Sequence, residues 1–412
     1  MRRSIVIGGG IIGLSAAIEL SRSGYRVTVI DEGADRGAAS WGNAGHIATE
    51  QVAPLASIAS IRSAPGRRFS AGGALHLPLV GIRRWAPFAA RMLAASTPGR
   101  FAAGSAALSA ILARAMPAWE ALTASIDAGD LLRRDGHFVA WESAATARTG
   151  RAAWTRADTG TARFDTATPD DLTHLRDWIS PTIVDAIRFT GSGQITDLNA
   201  LADALERALI AAGGTIERRR GTIAIHSDMA TIDGEAPDLL LVSAGARSGA
   251  LMETIGHPTP LIAERGYHIR ARADRWPADL PPIAFEDRSM IVTRYADCVQ
   301  AASFVEFNHV DAPPDPRKWD RLEQHVAALG LPMTRPFERW MGARPTLPDY
   351  LPAIGRSRRA GNLVYAFGHQ HLGLTLAPVT AQIIGALARD EATPIDIAPF
   401  DIERFGPNRK SR

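Results

Sequence analysis

Ser4-Ile5-Val6-Ile7-Gly8-Gly9-Gly10-Ile11-Ile12-Gly13-Leu14, followed by Asp31-Glu32 at the end of a second apolar run, is the stretch on which the fold of this chain turns. Residues 4–7 read as a short buried strand, and residues 11–20 have the apolar spacing of a helix packed on a sheet. Between them lies Gly8-x-Gly10-x-x-Gly13. Gly8 permits the tight turn from strand to helix, Gly10 lets a diphosphate approach bare backbone, and Gly13 lets helix and strand pack closely. The diphosphate is expected on free N–H groups at the positive end of the helix. Residues 25–30 supply the next strand, and Asp31 falls where a carboxylate accepts hydrogen bonds from the ribose of an adenosine, with Glu32 the alternative. Strand, helix, strand and terminal acid in register distinguish a dinucleotide fingerprint from a merely glycine-rich turn.

At 412 residues the chain suits two domains of ordinary size. Its composition, 46% hydrophobic and 22% charged, is that of a globular protein. The one cysteine, Cys298, excludes an internal disulfide and argues against a thiolate metal site, so a reducing cytoplasm is the expected compartment and no metal is expected. No uninterrupted apolar run reaches the ~20 residues of a spanning helix, and Met1-Arg2-Arg3 meets the glycine fingerprint too soon to be an export signal. Net charge is only +3, and the arginines form local clusters such as Arg67-Arg68, Arg83-Arg84 and Arg358-Arg359. No basic stripe interleaved with aromatics follows one element, so nucleic-acid binding lacks its electrostatic footprint. These arginines read as solvated surface.

Beyond Asp31, Ser40-Trp41-Gly42-Asn43-Ala44-Gly45-His46-Ile47 is too small and polar for a core and reads as a loop against a ligand. Residues 53–122 are alanine-rich and predict several helices broken at Pro65, Pro78, Pro87, Pro98 and Pro117. Within them, residues 75–92 mix Trp85 and Phe88 with Arg83, Arg84 and Arg91, which leaves two readings open: peripheral contact with a membrane surface, or a helix pair packed on the body of the protein. Residues 137–141 alternate like a strand, Asp197 or Thr196 caps a helix at 198–212, and residues 238–244 form the continuous apolar strand of a parallel sheet covered on both faces. Patterns at 267–271, 290–293 and 298–307 predict a second, largely antiparallel sheet. Residues 315–329 predict a helix. A strand at 362–367 leads through Gly368 to Thr375 into a helix ending near Ala388, and the basic tail 404–412 is expected to fray.

In this order the motifs resemble the superfamily of FAD-dependent D-amino acid dehydrogenases and glycine oxidases, the DAO superfamily, along nearly the whole chain. The resemblance rests on GGGIIG with its strand-end acid, SWGNAGHI at 40–47, LLLVSAGA at 239–246, RPTLPDYLPAIG at 344–355 and LVYAFGHQHLGLTLAPVTAQIIGAL at 363–387. Asn43-Ala44-Gly45 and the closing pattern are most similar to the D-amino acid dehydrogenase branch, and His369-Gln370-His371 resembles relatives acting on cyclic D-amino acids such as hydroxy-D-proline. The implied fold is α/β: a Rossmann-like FAD-binding domain of the glutathione reductase type, with an inserted α+β substrate domain built on a largely antiparallel sheet. The FAD domain is expected at 1–52, 187–262 and 336–412, and the substrate domain at 53–186 and 263–335. A flavin ring needs backbone groups beside both N5 and the N1–C2 carbonyl, which accounts for two further loops that a nicotinamide enzyme does not need. The cofactor residues so implied are Gly8, Gly10, Ile11, Ile12, Gly13, Asp31 and Glu32, then Ser40, Asn43, Ala44, Gly45 and His46. Ile223, Gly245 and Gly342 follow, and finally Gly368, His371, Leu372, Gly373, Leu374 and Thr375. The helix begun by Gly373 turns its positive end to the anionic reduced flavin. Some relatives tether FAD through a cysteine near the position of Ala343 and Arg344, so non-covalent FAD is expected here.

For catalysis, the resemblance places the carboxylate-binding arginine of glycine oxidase at Arg344, whose backbone is kept extended by Pro345. Ser289-Met290 stand where those oxidases carry a tyrosine, so Tyr267 and Tyr350 become candidates for the second carboxylate contact, against core packing with a satisfied hydroxyl. His371, just before the last helix, is expected to face the substrate. The implied reaction takes a hydride from the α-carbon of a D-amino acid to flavin N5 and yields an imino acid. A quinone or dye is the expected electron acceptor. The alternatives are a glycine/sarcosine-type amine oxidase using oxygen, and a flavoprotein subunit relaying electrons in a hetero-oligomer. A serine hydrolase is excluded for want of a G-x-S-x-G elbow.

Overall fold

The computed structural model describes residues 1–33 and 36–406. Of the tail expected to fray, Arg404 is ion-paired to Asp349 at 2.6 Å, and 407–412 lie outside the described residues. The opening strand, Arg2–Ile7, is flanked by parallel partners on both sides, Tyr25–Asp31 and Leu239–Val242. The full sheet runs 215–218, 25–31, 2–7, 239–242, 363–367 and 353–356, parallel except at its last pair. Leu239–Val242 is buried at every position, as its unbroken apolarity requires. Helices Ile11–Arg22, Leu198–Ala211 and Gly373–Ala388 share one core on this sheet. Close packing of the first helix depends on Gly13, where a Cβ would stand 1.9 Å from the Gly8 carbonyl oxygen. Asp197 caps the second, its Oδ1 accepting from the N–H groups of Asn199 and Ala200 at 2.9 Å each.

A second sheet of nine strands runs 338–346, 262–272, 298–308, 290–294, 283–285, 137–141, 185–190 and 163–166, with 75–76 added beside 298–308. Its ladders are antiparallel apart from two joins, 283–285 with 137–141 and 75–76 with 298–308. Residues 187–190 of the strand Asp185–Thr190, and all of Glu338–Thr346, lie in stretches expected in the FAD domain, and both strands pair into the nine-stranded sheet. The chain crosses to the nucleotide sheet only beyond Thr190 and beyond Thr346.

One expectation about the alanine-rich region is corrected. Pro98 opens a helix, where its missing N–H costs nothing, but Pro87 lies inside Ile82–Ala95 and Pro117 in the first turn of Ala115–Ser125 without ending either. Pro87 is exposed, so water can take the carbonyl it leaves unpaired. In addition, Pro98–Ser125 and Gln370–Ala388 are long and apolar enough to cross a membrane, although no uninterrupted run predicts it. The second is 78% buried and is a core helix of the nucleotide domain. The first is two helices separated by a turn at Ala113-Arg114.

Candidate active site

A cavity of about 1850 Å³ is lined by Gly8 and Asp31 at one end and by Arg344 and His371 at the other. Ordinary small-ligand pockets hold about 300–1,000 Å³, so this one has room for a dinucleotide and a substrate together. At the nucleotide end Gly8 has φ 110°, and a Cβ there would lie 2.4 Å from the Ser243 carbonyl oxygen, so only glycine fits. The Asp31 carboxylate accepts the Gly9 N–H and, at 2.7 Å, the Gly33 N–H, which braces the glycine turn from the side. Glu32 is paired to Arg220 and, at 2.9 Å, to Arg247. One helix N–H is not free as expected: Ile11 donates to the Ser40 hydroxyl at 3.1 Å, so Ser40 stands at the positive end of the helix. Gly10, Ile11, Ile12, Ile223 and Gly245 all border the cavity.

The loop 41–46 is held by the second sheet through its carbonyls. Trp41 accepts from Arg270 at 3.3 Å, Gly42 from His268 at 3.1 Å, and Asn43 from the Tyr295 hydroxyl at 2.6 Å and the Gln300 amide at 2.9 Å. Burial pushes His268 down to about 3, so it is neutral and donates through Nδ1. With the carbonyls of residues 41–43 held from the second sheet, Asn43, Ala44 and His46 line the cavity. The Trp340 ring lies over Gly42 and Gly342, where any Cβ would strike it. This cradle of bare glycine backbone, helix N-terminus and strand-end acid fits FAD.

Five residues expected at the cofactor stand behind the cavity wall. Gly13 packs helix on strand. Gly45 has φ 72° and lies against Tyr295, Gly368 has φ 80° and lies against Leu347, and Leu372 is a core side chain. The Thr375 hydroxyl accepts the Ala48 N–H at 3.0 Å. Their neighbours Gly373 and Leu374 do line the cavity.

At the far end, Arg344 lies across the strand from Glu264 and over Gly266, where a Cβ would come within 2.1 Å of its Nη2. Nη1 donates to the Phe304 carbonyl at 3.1 Å and is 3.4 Å from Glu264. Phe304 sits at a bulge with φ 73°, a conformation that costs energy in an aromatic residue. Nε and Nη2 of Arg344 have no protein partner among the described residues, which leaves part of a planar fork toward the cavity. Glu264 is buried and also accepts from Thr346 at 3.1 Å and from Tyr350 at 3.2 Å. Beside Arg344, His371 is pushed down to about 4 by burial and by that guanidinium, so it is neutral; its Nε2 meets the Gln51 side chain.

Neither tyrosine has a free hydroxyl. Tyr267, expected among the catalytic residues, gives its hydroxyl to Glu306 at 2.6 Å and accepts from Arg265 at 2.8 Å, inside a buried network that includes Lys318. Burial and Glu306 push it up to about 12. Its ring packs with the core on the Arg317–Leu329 helix while the residue also borders the cavity, so its hydroxyl is engaged within the protein beside the site. A further cluster escaped the sequence reading. His46 Nε2 lies 3.2 Å from Glu50 Oε1, with His137 packed edge-on to His46, and all three border the cavity. Burial opposes the charge of Glu50, yet the two imidazoles hold it below the usual carboxylate range.

A six-stranded nucleotide sheet, an inserted antiparallel sheet and one cavity shared by both define a flavoprotein of two-domain type. The family model described as FAD dependent oxidoreductase, DAO, matches residues 3–387, and the chain belongs to that family. A D-amino-acid oxidase of Bradyrhizobium diazoefficiens is 29% identical, with 98% of this chain and 99% of the relative covered. A D-amino acid dehydrogenase of Cereibacter sphaeroides is 26% identical over 100% of this chain and 97% of its own length. Among solved structures, glycine oxidase from Geobacillus kaustophilus superposes with a TM-score of 0.72 at 18% identity, covering 98% of this chain and 99% of its own. The solved structure shares the fold, the family carries the FAD dependence, and the chain is an FAD-dependent oxidoreductase.

Proposed function

We propose that the chain oxidises the bond between the α-carbon and the nitrogen of a D-amino acid to an imino acid, with Arg344 holding the substrate carboxylate. The observation that carries this reading is the half-engaged guanidinium of Arg344: one nitrogen is anchored, and the rest have no partner among the described residues and lie beside the cavity. An amino acid offers its carboxylate whatever its side chain, and a guanidinium grips it through two parallel bonds that fix a plane as well as a distance. Bound FAD supplies the hydride acceptor. Around it the chain's own groups orient the substrate: Arg344 takes the carboxylate, and neutral His371 takes a hydrogen bond without competing for that anion. FAD is held without a covalent bond, since Cys298 does not border the cavity.

The relatives divide between names that say oxidase and dehydrogenase, and the dehydrogenase-like loops 43–45 and 368–375 favour a quinone or dye over oxygen. The test uses the purified chain alone with a dye acceptor and a panel of D-amino acids, D-proline and hydroxy-D-proline included, beside L-proline, glycine and sarcosine, with peroxide measured in parallel. Dye reduction by D-amino acids with little peroxide is expected. Peroxide matching dye turnover, with glycine or sarcosine preferred, would move the chain to the amine oxidases, and inactivity on the whole panel would favour an electron-relaying subunit.

A further inference from the structure

Between Glu50 and Glu120 the chain has no acidic residue, and its charged side chains there are all arginine. Arg62, Arg67, Arg68, Arg83 and Arg84 are exposed, and among the described residues none makes an ion pair. The contrast with other arginine clusters is direct: Arg134 pairs with Glu120 at 2.8 Å, Arg219 with Glu217 at 2.7 Å and Arg358 with Asp401 at 2.8 Å. The same segment carries the molecule's most exposed aliphatic turn. Leu79 is 82% and Val80 93% exposed, at the head of the Ile82–Ala95 helix, and Leu93 at the helix end is 60% exposed. The inward face of this helix is already satisfied, with Phe88 against Phe307 at 5.2 Å between rings and the Trp85 indole donating to the Pro78 carbonyl at 2.8 Å.

We propose that this segment docks the protein on an anionic lipid surface, with Leu79 and Val80 entering the boundary between headgroups and acyl chains and the adjoining arginines binding lipid phosphates. One surface then meets both demands, since acyl chains cover the aliphatic tip and phosphates accept from guanidinium forks. A nucleic acid would take the arginines but leave the Leu79-Val80 tip in water, because single strands are held by stacked aromatics. A protein partner needs a broader apolar centre than one turn provides. Arg83, Arg84 and Leu93 also border the cavity, so docking brings its mouth to the lipid.

The test is co-sedimentation of the full FAD-loaded chain with vesicles of phosphatidylcholine, with and without phosphatidylglycerol. Binding is expected at low salt only with phosphatidylglycerol present, and is expected to fall about tenfold or more on pure phosphatidylcholine. Leu79→Ser/Val80→Ser should keep its flavin and lose a similar factor, as should Arg83→Gln/Arg84→Gln. Failure of the native chain to sediment with anionic vesicles overturns the proposal. So does full binding by the Leu79/Val80 variant, which would reduce the segment to a polyanion contact made by arginine alone.

Discussion

Arg344 answers to two partners. Glu264 and the Phe304 carbonyl fix one side of its guanidinium, and the substrate carboxylate is assigned to the other. A charged bidentate contact in a desolvated site is worth several kcal/mol, so Arg344→Met is expected to lower kcat/KM by ~10²-fold or more. The loss leaves Glu264 buried with only the Thr346 and Tyr350 hydroxyls, so some stability goes with it. Arg344→Lys separates the two effects: it keeps a cation near Glu264 but loses the fork, and should retain Tm within a few degrees while kcat/KM still falls about tenfold or more. Native kcat/KM in a folded Lys variant would make Arg344 a purely structural partner of Glu264. Arg344 itself was legible through its Arg-Pro motif. Glu264 was not, because only the ladder register sets it opposite Arg344. The partners of Tyr267 were hidden for the same reason. Alternation along one strand says which residues share a face, not which partners a side chain meets there: Tyr267 borders the cavity, and its hydroxyl is given to Glu306.

At the scale of elements, the site is a seam. The loop 41–46 belongs to the nucleotide half, yet its carbonyls are held by side chains of the strands 262–272 and 298–308 and of the turn at Tyr295. Its small polar composition announced a ligand loop, but its partners lie more than two hundred residues away, beyond the reach of any local pattern. The seam and the last loop carry buried histidines: His268 and His369 are held near 3 and His371 near 4, each chiefly by burial. In the unfolded chain a histidine titrates near 6.5. Below that pH the unfolded state takes up protons that the folded state refuses, so stability falls as pH drops from about 6.5 toward about 4 and is unaffected by these groups above 7. Tm followed against pH should therefore begin to fall below about 6.5. A Tm level down to about 4.5, falling only as carboxylates titrate, would show that these imidazoles accept protons in the folded protein.

At the scale of the molecule, two sheets of different kind share one cavity, and the chain passes between them repeatedly. The glycine fingerprint, the apolar strand 239–242 and the alternating strands of the second half made both sheets legible from sequence, since each has its own periodicity. The borders were less so. Asp185–Thr190 and Glu338–Thr346 adjoin motifs of the nucleotide half, and only their ladders assign them to the other sheet. The arginine-rich stretch between Glu50 and Glu120 reads as ordinary solvated surface until the ion pairs of the other clusters are seen. The proposed function requires this shared cavity to bring FAD and the α-carbon of a D-amino acid together in one chain. The most direct measurement is anaerobic mixing of the purified yellow protein with each enantiomer of an amino acid, following the visible absorption of the flavin with no acceptor present. Bleaching by the D-enantiomer, slowed by Arg344→Met, and colour retained with the L-enantiomer are expected; a flavin that the D-enantiomer leaves oxidised while the L-enantiomer or glycine bleaches it would contradict the proposed function.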